Sequence, residues 1–165
     1  MKKIFSILCF VFVLGVVNQA NAQLSLGPGL SYASDINNVG LSANVRYAFD
    51  SDWAVSSGFT YFFEKDYVAW SVADINVNYN LTEIDGVGSL YALAGVNITH
   101  AKVDVPLNFG YGSVNISGTA SDYGFNIGGG LNINLNEKLV LAPEVCYTII
   151  EGGYLRIGTK LLFTL

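Results

Sequence analysis

From Tyr123 to Leu135 the chain alternates with period two. Tyr123, Phe125, Ile127, Gly129, Leu131, Ile133 and Leu135 fall on one side, and Gly124, Asn126, Gly128, Gly130, Asn132 and Asn134 on the other. Residues two apart share a face only in an extended strand, so this run is a strand with one apolar and one small polar face. Asn136-Glu137-Lys138 interrupts the pattern. Alternation then resumes, with Leu139, Leu141, Pro143, Val145 and Tyr147 against Ala142, Glu144 and Cys146, which makes a hairpin of two long strands. The polar face carries Gly and Asn where a water-washed strand would carry Lys, Glu and Thr. Such residues suit a narrow, crowded polar interior, so the apolar face is the one expected to meet lipid.

The same alternation recurs in eight segments: Gln23 to Ala33, Gly40 to Phe49, Trp53 to Phe63, Tyr67 to Leu81, Ser89 to Thr99, Ser121 to Leu135, Leu139 to Ile150, and Tyr154 to Leu165. Most reach the roughly 9–11 residues of a tilted membrane-crossing strand. Just 13% of residues are charged, about half the ~25% usual for soluble domains, yet beyond residue 22 no apolar run is long enough for a spanning helix. Hydrophobicity without a spanning helix leaves a membrane barrel, whose strands hide it in alternation, or a soluble lipocalin-like periplasmic barrel with the apolar face inside around a ligand. The apolar face carries no charge on any segment, and a Lys or Arg at mid-bilayer depth would cost roughly 2–4 kcal/mol. Aromatics on that face gather near the segment ends. Tyr47, Phe49, Trp53, Tyr79 and Phe163 lie towards one end and Tyr32, Tyr61, Phe63, Tyr67, Tyr123 and Tyr147 towards the other, as interfacial girdles would. The expected fold is an all-β, eight-stranded, antiparallel up-and-down transmembrane barrel, too narrow for an open channel and filled by its own side chains.

The chain begins Met1-Lys2-Lys3, runs apolar from Ile4 to Val17 and reaches Ala20-Asn21-Ala22. A basic start, an apolar core short of the roughly 20 residues of a spanning helix, and a small-x-small site predict a signal peptide over residues 1–22, cleaved after Ala22. The barrel domain is then residues 23–165. Cys9 leaves with the leader, so Cys146 alone remains and no internal disulfide is available. Loss of Lys2 and Lys3 takes the formal charge from −5 to −7, with 6 basic against 13 acidic residues. That balance, with no basic stripe, phosphate loop or metal-spaced cluster, excludes a nucleic-acid partner and implies no cofactor or metal.

Five charged residues fall on the polar face of strands: Arg46, Asp74, Glu144, Arg156 and Lys160. Buried charges need partners, so these predict a salt-bridge network in the lumen, with Glu144 near Arg156 or Lys160; a polar conduit gated by them is the alternative. Cys146 on the same face reads as a small filler. His100, the one histidine, falls at the outer rim beside Lys102 and Asp104. Outer-membrane enzymes such as lipid A deacylases and omptin-type proteases use a rim histidine with Ser or Asp. Here no nucleophile or orienting partner stands at a recognisable spacing, so no catalysis is expected. The stretch His100 to Ala120 is long for a loop, and Val103, Val105, Leu107, Phe109 and Tyr111 still alternate, so the hairpin is expected to extend past the membrane. Three features break the pattern. Val68, Trp70 and Val72 fall inward, which predicts a bulge near Ala73, and Pro28 and Pro143 inside strands predict local bulges.

Arg156-Ile157-Gly158-Thr159-Lys160-Leu161-Leu162-Phe163 resembles the C-terminal signal read by the outer-membrane barrel assembly machinery: a polar residue, then Gly, then apolar residues at alternate positions, here Leu161 and Phe163. With that motif, the Gly128 to Glu144 hairpin and the leader, the chain resembles the porin-family outer-membrane β-barrel domain, akin to small OmpA/OmpX-type barrels. The resemblance implies a monomer in the outer membrane of a Gram-negative bacterium, surrounded by outer-membrane lipids. It also implies a structural or surface-interaction role carried by the outer loops. A narrow porin for small solutes or ions is the other function such a barrel could have.

Overall fold

The computed structural model describes residues 23–109 and 112–165, with side chains described outside 107–115. The expected leader, residues 1–22, and Tyr111 of the alternating hairpin lie outside the described residues.

Eight strands follow in order: β1 Gln23–Ala33, β2 Asn38–Ala48, β3 Trp53–Lys65, β4 Val68–Ile84, β5 Gly88–Phe109, β6 Gly112–Asn136, β7 Leu139–Ile149 and β8 Tyr154–Thr164. Each pairs antiparallel with its sequence neighbour, and β8 closes on β1 from Ser25↔Thr164 to Ala33↔Arg156, so the sheet is a closed barrel. Closure leaves no free edge in the body of the barrel. At one end the β2–β3, β4–β5 and β6–β7 connections are short turns; the long β5–β6 hairpin rises from the other. The tight β3–β4 turn falls at Asp66-Tyr67, one residue past the expected connection. Both of its residues are left-handed (φ 53° and 66°), the pair of conformations that a two-residue hairpin turn matches to strand twist.

The expected extension of the hairpin is present. β5 and β6 stay in register from Gly88↔Ile133 to Phe109↔Gly112, whereas β4 accompanies β5 only to Val103 and β7 accompanies β6 only from Phe125. Six residues of β5 beyond Val103 carry the ribbon about 20 Å past its neighbours at roughly 3.4 Å per residue.

The barrel's polarity is inverted relative to a soluble domain. Leu30, Leu41, Phe59, Ile75, Ile127 and Ile157 lie exposed on the outer face, while Asn44, Asn76, Asn78, Asn97, Asn126 and Asn132 are buried in the lumen. A lipocalin-like barrel would need the reverse, and that alternative is set aside.

Three local expectations are corrected. No bulge interrupts β4 near Ala73, because its register with β3 and β5 is unbroken from Tyr79 to Trp70; the shifts lie at Phe62/Lys65 and Asn80/Thr82. Val72 points inward without a bulge because the lumen changes character there: Val72, Ala33, Phe62 and Tyr154 form a buried apolar cluster with Trp70, Ile36 and Ile150 packed against it. Neither proline makes a bulge. The β1–β8 ladder lacks the pairs at Gly27 and Pro28, and the β6–β7 ladder lacks those at Pro143 and Ala142, with register unchanged on either side. A missing proline N–H thus leaves a gap in one ladder while the other holds the strand.

Candidate functional site: a charged, filled lumen

The lumen is organised in tiers because alternate residues of every strand point into it. Furthest into the barrel from the short-turn end, below the apolar cluster, lies an ion pair that spans the interior. Arg156 on β8 reaches Asp74 on β4, four strands away on the opposite wall, through Nη1→Oδ2 at 2.8 Å and Nη2→Oδ1 at 2.7 Å. Both residues are 8% exposed. Bidentate guanidinium–carboxylate geometry is the strongest form of such a contact, and it holds opposite walls together.

Asn126 on β6 completes this tier. Its Nδ2 donates to Asp74 Oδ1 (2.7 Å) and Asn76 Oδ1 (2.9 Å), and its Oδ1 accepts from Asn97 Nδ2 (2.6 Å), Thr148 Oγ1 (3.0 Å) and Arg156 Nη2 (3.2 Å). Thr99 Oγ1 and Tyr154 Oη lie 3.0 Å apart, which ties the network to the apolar cluster above. Cys146 is buried with its sulfur 3.8 Å from Arg156 Nη2.

A second tier is centred on Glu144. Lys160 Nζ donates to its Oε2 at 2.7 Å and Tyr91 Oη at 2.9 Å, so one carboxylate oxygen joins β5, β7 and β8. Tyr91 fits because its partner across the β5–β6 ladder is Gly130. A Cβ on Gly130 would sit 2.6 Å from Tyr91 Oη and 2.5 Å from the Pro143 carbonyl oxygen.

Arg46 stands apart. It occupies the short-turn end, half-buried, and has no ion pair or hydrogen bond among the described residues; its Nε is fully buried without an acceptor. The lumen thus brings four of the five expected charges into two pairs, Asp74–Arg156 and Glu144–Lys160, and leaves Arg46 outside both.

Tyr91, Asn97, Asn126 and Thr148 were absent from the sequence-derived network. Tyr91 carried a signal, since it is a large inward side chain opposite a glycine. Asn126 carried none beyond its place on the polar face, because its partners come from four other strands.

At the other end His100 lies exposed on the outer face, and the extended β5–β6 pairing sets Ser121 opposite it, with Oγ 2.8 Å from Nδ1. The sequence set His100 at the start of the long connection and Ser121 at the start of the next strand, and the pairing between them follows from the ladder. Lys102 and Asp104 form an exposed pair at 2.6 Å, and this hydrogen bond, reinforced by Coulomb attraction, raises the Lys102 pKa above its ordinary value. No cluster of three or more metal-ligating side chains occurs among the described residues.

The girdle residues are placed as follows. Trp53 and Tyr79 pack on adjacent strands with centroids 4.6 Å apart, Tyr47 and Phe49 meet edge to face at 5.0 Å, and Phe163 is exposed; all lie at the short-turn end. Tyr32, Tyr61, Phe63, Tyr67, Tyr123 and Tyr147 are exposed towards the hairpin end. Of the C-terminal motif, Arg156 is in the lumen network, Gly158 pairs with Ser31 and Glu144, Leu161 is part-buried and Phe163 faces outward.

A closed eight-stranded barrel of inverted polarity is also what solved structures match. The N-terminal β-barrel domain of Pseudomonas aeruginosa OprF aligns over 89% of this chain and 100% of its own, at TM-score 0.66 and 15% identity. The chain has the fold of the small eight-stranded outer-membrane β-barrels. Ail, the attachment invasion locus protein of Yersinia pestis, matches this barrel at TM-score 0.54 and 23% identity over 86% of this chain and 97% of its own. A de novo designed transmembrane β-barrel matches it at TM-score 0.57 and 12% identity, over 89% and 98%. No family model and no curated protein matches the sequence. A designed chain scores as well as a natural one, so the likeness speaks to architecture and leaves activity to this barrel's own residues.

Proposed function

We propose that this chain is a monomeric, integral outer-membrane protein without catalytic activity. In this reading the lumen braces the barrel and the projecting hairpin end meets external partners. One observation carries it: a continuous apolar outer face bounded at both ends by exposed aromatics, around a polar lumen. An exposed apolar surface of that extent would aggregate in water, whereas lipid solvates it. The aromatic bands fit the two headgroup levels, and the Arg156 to Phe163 stretch fits a signal for the barrel assembly machinery.

A short-turn end facing the periplasm would place the β5–β6 ribbon outside the cell. Ail was crystallised with the heparin analogue sucrose octasulfate. This chain's hairpin end carries Asp35, Glu64, Asp66, Asp104, Asp122 and Glu151 against Lys65 and Lys102, a balance that favours a basic or neutral partner over a polyanion. The narrow-channel alternative meets a lumen crossed by two ion-paired tiers and topped by fully buried Ala33, Phe62 and Val72, so no conductance is expected.

Membrane fractionation tests the reading directly: the protein should stay with outer membranes through carbonate and salt washing and migrate faster on a gel before boiling than after. Release by carbonate would overturn it. Discrete conductance steps from purified protein in a planar bilayer would replace the sealed barrel with the channel.

A further inference from the structure

A cavity of about 540 Å³ opens at the short-turn end, and Arg46 lines it. The same residue lines the small space above, beside Tyr91 and Lys160, so its guanidinium stands where the vestibule meets the filled lumen. We infer that this vestibule is a binding site for a small oxyanion, a monoanionic carboxylate above all, held by Arg46.

The inference begins with charge. The other lumen cations each have a carboxylate within 2.7 Å, whereas Arg46 has no hydrogen-bond or ion-pair partner among the described residues. Its Nε is sealed from solvent without an acceptor, as is that of Arg156, but Arg156 has both Nη groups on Asp74. A guanidinium so placed has lost part of its hydration without replacing it, and a half-buried, unpaired cation of this kind favours an anion beside it. The nearby acid does not serve. Asp50 lines the cavity, but its Oδ1 accepts from the backbone N–H groups of Asp52 (2.8 Å) and Trp53 (2.7 Å), which holds the β2–β3 turn.

The remaining walls suit the same ligand. Ser25, Asn80, Ser89, Asn132 and Asn134 offer neutral hydroxyl and amide groups, and Arg46 is the one basic side chain among the described residues that line the vestibule. A carboxylate can take two parallel N–H bonds from a guanidinium, as Asp74 does from Arg156 deeper in the barrel. Asp50, Asp52, Asp85 and Glu137 in the turns and Glu83 at the end of β4 give the mouth a negative field, against Lys138 and the α-amino group that leader removal gives Gln23. That field penalises a dianion more than a monoanion, so acetate should bind more tightly than phosphate at a pH where phosphate is doubly charged.

The test titrates the refolded barrel, in detergent micelles at constant ionic strength, with acetate and separately with inorganic phosphate. The readout is the backbone amide NMR signals of Asn80 and Ser89, which line the vestibule and remain observable in every variant. A saturable shift with acetate, weaker with phosphate, and lost in R46Q, supports the site. An Asn132→Asp variant keeps the side chain's size, supplies a resident carboxylate and should weaken acetate binding by about tenfold or more; it serves as the test if R46Q does not fold. A shift that grows linearly without saturating, persists in R46Q or is unaffected in Asn132→Asp overturns the proposal, and phosphate binding tighter than acetate overturns the preference for a monoanion. The site is a property of the lumen, so its failure leaves the membrane reading intact.

Discussion

Replacing Asp74 by asparagine keeps the side chain's size but removes one charge from an ion pair whose members are each 8% exposed. Arg156 now donates to both carboxylate oxygens, at 2.7 and 2.8 Å. The amide would leave it one acceptor, set an N–H donor against the other Nη, and remove the only counter-charge it contacts among the described residues, with Asn126 Oδ1 at 3.2 Å and the Cys146 sulfur at 3.8 Å as its remaining partners. Stranding one partner of a buried pair costs about 3–5 kcal/mol, a large fraction of the roughly 5–15 kcal/mol typical of a folded domain. Urea unfolding of the barrel refolded into lipid vesicles would read this through Trp70, whose ring stands 5.8 Å from that of Tyr154 at the top of the network. The penalty is one of desolvation without compensation. Asp74→Leu combined with Arg156→Met should therefore recover most of the loss, since apolar side chains of similar volume leave no charge behind. A loss below about 1 kcal/mol in Asp74→Asn, or a double variant worse than the single, would show that the pair does not brace the barrel.

The second tier should behave more mildly. Glu144→Gln removes the partner of Lys160, whose side chain is 18% exposed, and is expected to cost about 1–3 kcal/mol with planar-bilayer conductance still absent. Gly130→Ala should lower the unfolding midpoint by a similar energy, about 1–3 kcal/mol, because its Cβ would force Tyr91 off Glu144. Val72→Ala, in the apolar cluster where Val72 is fully buried, should cost about 1–3 kcal/mol in the same assay and leave the network's bonds in place.

Period-two alternation made the strand count and the faces legible, because a lumen of Gly, Asn and Ser beneath an apolar surface leaves a mark at every second residue. The same rule misled at β4. Val68, Trp70 and Val72 kept the correct direction while their polarity reversed, since the lumen's upper end is closed by apolar packing instead of polar groups. Reading face from polarity alone therefore invented a bulge. Pairings were legible only where they are local. Glu144 and Lys160 lie on adjacent strands, so neighbouring register suggested their contact. Asp74 and Arg156 are 82 residues and four strands apart, and only closure of the barrel brings them together. His100 meets Ser121 because the β5–β6 ladder continues through the expected hairpin extension in a register that alternation alone does not set.

The β5–β6 ribbon separates what holds the barrel together from what it offers to its surroundings. The Asp104 N–H still donates to the Tyr67 carbonyl at 2.9 Å, but past it on β5 and before Phe125 on β6 each strand pairs only with the other among the described residues, so this segment adds nothing to the closed ladder below. From Ile116 to Ser121 the β6 edge reads Ile-Ser-Gly-Thr-Ala-Ser, without the lysine, proline or bulge that usually blunts an exposed edge. A ribbon serving stability would not need such an edge, whereas one that meets another molecule could use it. Replacing residues 105–116 with Asn-Gly, a sequence suited to a two-residue turn, keeps the Asp104↔Ser117 pair and closes a shorter hairpin. The shortened chain should retain heat-modifiable migration and unfold within about 1 kcal/mol of the parent, since the removed residues lie outside the closed ladder. Loss of the folded gel form would mean that the ribbon supports the barrel, and the division of labour proposed for the two ends would fail.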